Sequence, residues 1–89
     1  MTRSQQWWVY MIATDKQQLY TGISTDIDRR WQEHLDVALG KKNAKGAKFF
    51  RSQMPLTIVY RQEFSSRSAA SCREAEIKKL TAAEKAKLV

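Results

Sequence analysis

The chain holds one cysteine, Cys72, one proline, Pro55, and three glycines among its 89 residues. One thiol excludes a disulfide framework and a cysteine-built zinc site within a single copy. It fits a reducing compartment, so a cytoplasmic location is the expectation. No apolar run approaches the roughly 18 residues of a membrane span. The opening Met1-Thr2-Arg3-Ser4-Gln5-Gln6 lacks the apolar core of a secretory signal. There is no internal repeat and no long linker, so one domain over 1–89 is expected.

Acid is also scarce. Nine Asp and Glu face sixteen Lys and Arg, a net charge of +7. A domain this small and this basic favours a polyanion as partner, nucleic acid first. An anionic membrane fits less well, because the basic residues do not line one face of a long amphipathic helix. Hydrophobic residues reach 43%, which excludes a disordered composition.

What is present reads as an ordered series of elements. Trp7 to Thr14 is aromatic and β-branched, and Leu19 to Ser24 alternates. With polar Asp15-Lys16-Gln17 between them, they predict a β-hairpin. If opposed residue numbers sum to an even value, Tyr10, Tyr20 and Gly22 share one face. Thr25 with Asp28 predicts a capped helix running to about Leu39, stopped by Gly40. Its apolar stripe is Ile27, Trp31, Leu35 and Ala38. Gly40 to Lys48 is a basic loop, and Phe49 to Gln53 allows one helical turn. Leu56 to Phe64 predicts a third strand, with Leu56, Ile58, Tyr60 and Phe64 on one face. Ser65-Ser66-Arg67-Ser68 caps a second helix over roughly 67–79, with Ala69, Ala70, Ile77 and Leu80 buried. Thr81 and Glu84 form a capping box for a short last helix.

Arg30 and His34 lie four apart, on one edge of the first stripe. Arg29 and Glu33 are expected to face solvent. On the second helix Glu74 sits at the stripe's margin and Glu76 nearer its centre. Each of these residues has an ordinary structural explanation, as an edge charge or a surface acid. Tyr10 and Tyr20 taken alone read best as core aromatics. Cys72 reads as a small packing residue and Trp31 as core. Phe49-Phe50 beside Lys48 is the best base-stacking candidate, although core packing suits it too.

Trp8-Val9-Tyr10, Tyr20-Thr21-Gly22, Arg30, His34 and a helical glutamate, in that order, resemble the GIY-YIG nuclease superfamily. The likeness to its small bacterial members runs through Leu19 to Asp26, Arg29-Arg30, His34, Lys45-Gly46-Ala47-Lys48 and Glu74 to Lys78. It departs in having Trp8 where many members have Gly, Thr21 in place of Ile, and no asparagine after Glu74. The resemblance implies an α+β domain, a three-stranded antiparallel sheet flanked by helices. It implies that Tyr10, Tyr20, Arg30, His34 and Glu74 meet in one catalytic site. Glu74 is preferred over Glu76 because Ile77 and Lys78 follow it at the family's spacing.

In that picture Glu74 binds a single Mg²⁺ or Mn²⁺, which polarises the phosphate and supports the departing oxygen. Arg30 offsets the growing negative charge. A phenol is an unusual base, with an ordinary pKa near 10, but a nearby cation lowers it. Tyr20 is favoured as base and Tyr10 as orienting group, with the roles exchangeable. His34 assists proton transfer or holds a tyrosine oxygen. Lys45, Lys48, Arg51 and Lys78 would contact the phosphate backbone, which gives affinity without reading sequence.

The leading function is thus a metal-dependent DNA endonuclease acting on damaged or branched DNA. The alternatives are a catalytically weak or inactive nucleic-acid-binding module of the same fold and, behind it, a protein-interaction domain. The chain has no room for a separate specificity domain, so a protein partner is one way to supply specificity.

Overall fold

The computed structural model describes residues 6–89, so the opening segment read above lies, but for Gln6, outside them. The order is β1 (Trp7–Thr14), β2 (Leu19–Ser24), α1 (Ile27–Ala38), a 3₁₀ turn (Lys48–Arg51), β3 (Pro55–Phe64), α2 (Arg67–Lys78) and α3 (Ala82–Ala86). The strands form one antiparallel sheet in the order β2-β1-β3.

β1 is central, and its alternate residues are buried on both faces. Val9 and Met11 pack with Ala70 and Ile77 of α2. Tyr10 and Ile12 pack with Ile27 and Trp31 of α1 and with Phe50 of the 3₁₀ turn. The result is a helix layer on each side of the sheet.

The hairpin pairs Tyr10 with Gly22 and Ile12 with Tyr20, so the opposed numbers sum to 32. The even parity holds, and both phenols lie on the α1 face. Gln17 turns the chain in the left-handed region, at φ 60°.

Several local expectations are corrected. The N-cap of α1 is Asp26, whose side chain accepts from the Arg29 N–H, rather than Thr25. Ser24 Oγ accepts from the Asp26 N–H and donates to its carbonyl, which turns the chain one residue later. The buried residues of α1 are Ile27 and His34, so the covered stripe is centred closer to His34 than the apolar residues suggest. β3 does not keep Leu56, Ile58, Tyr60 and Phe64 on one face. Its register slips twice, between Met11 and Ile12, where Val59 is the extra residue, and between Ala13 and Thr14, where Leu56 is. Ile58 therefore joins the α1 face, Tyr60 and Phe64 join the α2 face, and Leu56 is exposed. On α2, Glu76 is exposed instead of central, and Cys72 is exposed instead of packed. The capping box of Thr81 and Glu84 forms as expected.

Candidate active site

Tyr10 leaves the middle of β1 toward α1 and is 1% exposed. Its ring can lie across the neighbouring strand only because residue 22 is glycine. A Cβ there would stand 2.6 Å from the Tyr10 hydroxyl oxygen and 2.8 Å from the ring carbon that carries it. Gly22 thus makes room for a phenol, a constraint of packing that the sequence left undecided.

The Tyr10 hydroxyl meets His34 Nε2 at 2.8 Å. His34 is fully buried, and its other ring nitrogen, Nδ1, accepts the Ala47 N–H at 3.1 Å. Tyr20 stands against the same imidazole, with ring centroids 5.0 Å apart, and 6.3 Å from the Tyr10 ring. Phe50 backs His34 at 4.6 Å and Tyr20 at 5.0 Å, while half-buried Phe49 flanks Tyr20 at 5.3 Å. Phe50 is core, whereas Phe49 keeps an accessible side beside a catalytic candidate.

Arg30 is half-buried one turn before His34. Its Nη1 donates to Glu33 Oε1 at 2.9 Å and to the Lys45 carbonyl at 3.0 Å. Glu33 is therefore the partner of Arg30, not a solvent-facing residue. Arg29 is exposed, as expected.

The charges act on one another. Burial, then the adjacent Tyr20, pushes the Tyr10 phenol well above its ordinary value; Arg30 opposes this and Glu74 adds to it. At neutral pH Tyr10 is a protonated hydrogen-bonding group. Burial and the Arg30 cation lower the His34 imidazole to about 4, against a smaller pull from Glu33. His34 is thus neutral across the physiological range. Burial works against the Arg30 charge, but its bond to Glu33 and its proximity to Tyr10 leave its pKa raised.

Four of the five predicted groups, Tyr10, Tyr20, Arg30 and His34, form one patch on the α1 face. Glu74 arrives differently. It belongs to α2, the helix of the opposite face, and its carboxylate pairs with Lys78 Nζ at 3.4 Å. It reaches the patch through its charge, which acts on Tyr10. α2 packs against both β1 and β2.

The predicted backbone contacts divide in the same way. Lys48 and Arg51 are exposed and line a cleft of about 380 Å³ with Lys41 and Asn43. Lys45 has an exposed side chain, while its carbonyl holds Arg30. Lys78 is tied to Glu74 and is 55% exposed, so phosphate would compete with a carboxylate for it. A second cleft, of about 400 Å³, brings Arg67 together with Arg29 and Arg30. Arg67 lies over the Trp7 ring at 5.7 Å. Sequence reasoning missed Arg67 and Glu33, and a basic residue in the first turn of α2 was the available signal for Arg67.

Comparison with known proteins gives a consistent result. A family model described as the GIY-YIG catalytic domain matches residues 6–87. The UPF0213 protein YhbQ of Escherichia coli K12 is 40% identical over 83 residues, 93% of this chain and 76% of its own length. The UPF0213 protein DP2720 of Desulfotalea psychrophila is 43% identical over 93% of this chain and 70% of its own. The solution NMR structure of the UPF0213 protein BH0048 from Bacillus halodurans superposes with a TM-score of 0.55 at 30% identity. That match covers 93% of this chain and 81% of that one. Among the described residues, no helix is long and apolar enough to cross a membrane.

Proposed function

This chain belongs to the GIY-YIG family, and from that premise we propose that it is a cytoplasmic endonuclease that hydrolyses phosphodiester bonds in DNA with a bound divalent cation. Damaged or branched DNA is the proposed substrate class, with specificity supplied by shape or by a protein partner. The observation that supports this most is the gathering of two phenols, a neutral imidazole and a guanidinium in one patch of a +7 chain.

Arg30 is the phosphate-holding cation. Its fork is already directed by Glu33 and Lys45, so little ordering remains when an anion arrives. Tyr10, kept protonated by burial, donates its hydroxyl to a phosphate oxygen. Tyr20 is half-exposed and is the phenol that an attacking water can reach, so in its phenolate form it is the group that takes the water's proton and becomes the neutral phenol. His34 holds the Tyr10 oxygen and takes no proton itself near neutral pH.

The acidic groups fit a loosely held ion. Among the described residues no three carboxylate, imidazole or thiol groups gather into a cage. Glu74 offers one carboxylate, 23% exposed, which suits a hard cation such as Mg²⁺ or Mn²⁺ that keeps several waters. When bound there, such an ion polarises the phosphate and supports the leaving oxygen. The pairing of Glu74 with Lys78 favours the second reading, a DNA-binding module with little catalysis.

The test is cleavage of supercoiled plasmid and branched duplexes with Mg²⁺ or Mn²⁺, beside binding measured by anisotropy. Glu74→Gln and Tyr20→Phe are expected to lose cleavage by about 10²-fold or more while keeping affinity. Binding without cleavage by any form of the protein would establish the second reading.

A further inference from the structure

We propose that the backbone of residues 45–47 is a positioning device that fixes the tautomer of His34 and the direction of Arg30, and so decides what Tyr10 presents to the phosphate. Its kinetic consequence rests on the nuclease reading above; its structural content does not.

A neutral imidazole carries one donor and one acceptor nitrogen. The Ala47 N–H can only donate, so the nitrogen it meets at 3.1 Å, His34 Nδ1, must offer a lone pair. The ring proton is then on Nε2, where it points at the Tyr10 oxygen 2.8 Å away. Tyr10 accepts this bond and keeps its own O–H for a ligand. The other tautomer would set two N–H groups against each other at Nδ1 and would consume the Tyr10 proton on Nε2. The imidazolium meets the same conflict at Nδ1. One backbone amide therefore determines whether Tyr10 offers a proton or a lone pair.

The loop lies this close because residue 46 has no side chain. A Cβ on Gly46 would fall 2.4 Å from the Glu33 carbonyl oxygen and 2.6 Å from His34 Cα. These are backbone atoms of α1 and cannot step aside as a flexible side chain would. On either side of this contact, the Lys45 carbonyl accepts from Arg30 Nη1 and the Ala47 N–H holds His34. Three consecutive residues thus hold two site groups, one helical turn apart, through main-chain atoms alone. The Lys45 side chain, which is exposed, has no part in this.

The chain has one histidine, so its imidazole nitrogen spectrum reports on His34 alone. In ¹⁵N-labelled protein at neutral pH, the unprotonated nitrogen should be Nδ1 and the protonated one Nε2. A proton on Nδ1, in either the neutral or the charged ring, overturns the proposal. Two variants extend the test. Replacing Ala47 by lactic acid through chemical ligation exchanges its N–H for an ester oxygen while keeping its methyl group and its own carbonyl. Gly46→Ala lifts the loop from the helix.

Both should move the ring proton toward Nδ1 and slow cleavage by about 10- to 100-fold, and the ester variant, which leaves the Lys45 carbonyl and the basic side chains in place, should keep its affinity for DNA within about twofold. Lys45→Ala, which retains the carbonyl, should keep the wild-type tautomer. If Gly46→Ala does not fold, the ester variant still decides the matter. An ester variant with the wild-type tautomer and rate overturns the proposal. If wild-type protein cleaves no DNA, the nuclease reading falls on its own test, and the spectrum alone upholds or overturns the positioning.

Discussion

The two faces of the sheet draw on alternate residues of one strand, and they differ in kind. On the α2 face Val9, Met11, Ala70 and Ile77 are fully buried and wholly apolar at the contact. On the α1 face Tyr10 and His34 are equally buried, but each carries a polar atom that must be satisfied. Burial of apolar area is non-directional, so the first face holds the fold together without fixing any single geometry. Hydrogen bonds are directional, and an unmade buried one is expensive, so the second face admits few arrangements. β1 thus separates stability from chemistry by its period of two.

Breaking one face at a time tests this division. The largest effect should come from Arg30→Ala, which removes the proposed phosphate-holding cation. Cleavage should fall by about 10²- to 10³-fold, on the order of 3–4 kcal/mol of barrier. Thermal melting should barely change, because the Arg30–Glu33 pair is half-exposed and contributes little to stability. Ile77→Ala should do the reverse. It opens a cavity in the α2 face and should cost about 3 kcal/mol in urea unfolding, with the rate constant per folded molecule unchanged.

His34 couples the two properties through pH. Its folded pKa is about 4 against an ordinary value of 6.5, so between these values the unfolded chain binds more protons. Stability should therefore rise with pH across that window, by about 3 kcal/mol from this group, and level off above it. The groups facing His34 are Tyr10, Tyr20, Arg30 and Glu33, and Arg30 keeps its charge throughout. His34→Gln should flatten the slope, and an unchanged slope would assign it to carboxylates instead.

Gly22→Ala should cost about 1–2 kcal/mol of stability, since the added methyl must displace the Tyr10 ring. Its effect on cleavage should exceed its effect on melting. The smallest effect belongs to Thr21→Val. The Thr21 hydroxyl is buried on the α2 face with no hydrogen-bond partner. An isosteric apolar replacement should stabilise by about 1 kcal/mol or less. A loss of stability there would show that the face has a polar requirement.

These residues also show what a sequence can and cannot disclose. The hairpin's strands are legible, but the even parity that puts Tyr10, Tyr20 and Gly22 on one face is a condition residue types do not decide, and the pairing of Tyr10 with Gly22 meets it. The i, i+4 spacing of Arg30 and His34 gave their shared edge. Glu74 was legible as a residue but not as a location, because helical periodicity assigns a face to a helix and not a side of the sheet. The bulge at Val59 carries no glycine or proline to announce it, so β3 was read as regular. The side chains of the 45–47 segment describe a basic loop, while the contacts it makes to Arg30 and His34 are main-chain ones. Such contacts leave no trace in residue type except at Gly46, where a side chain is forbidden.

The proposed nuclease function requires Glu74, from one face, to hold its cation close to the phenols and guanidinium of the other. Paramagnetic broadening by Mn²⁺ in ¹⁵N-labelled protein tests it most directly. Amide signals of Tyr20, Arg30 and Glu74 should fade together at low ion concentration, and Glu74→Gln should abolish the effect. Broadening centred elsewhere, or unchanged in Glu74→Gln, would contradict the account.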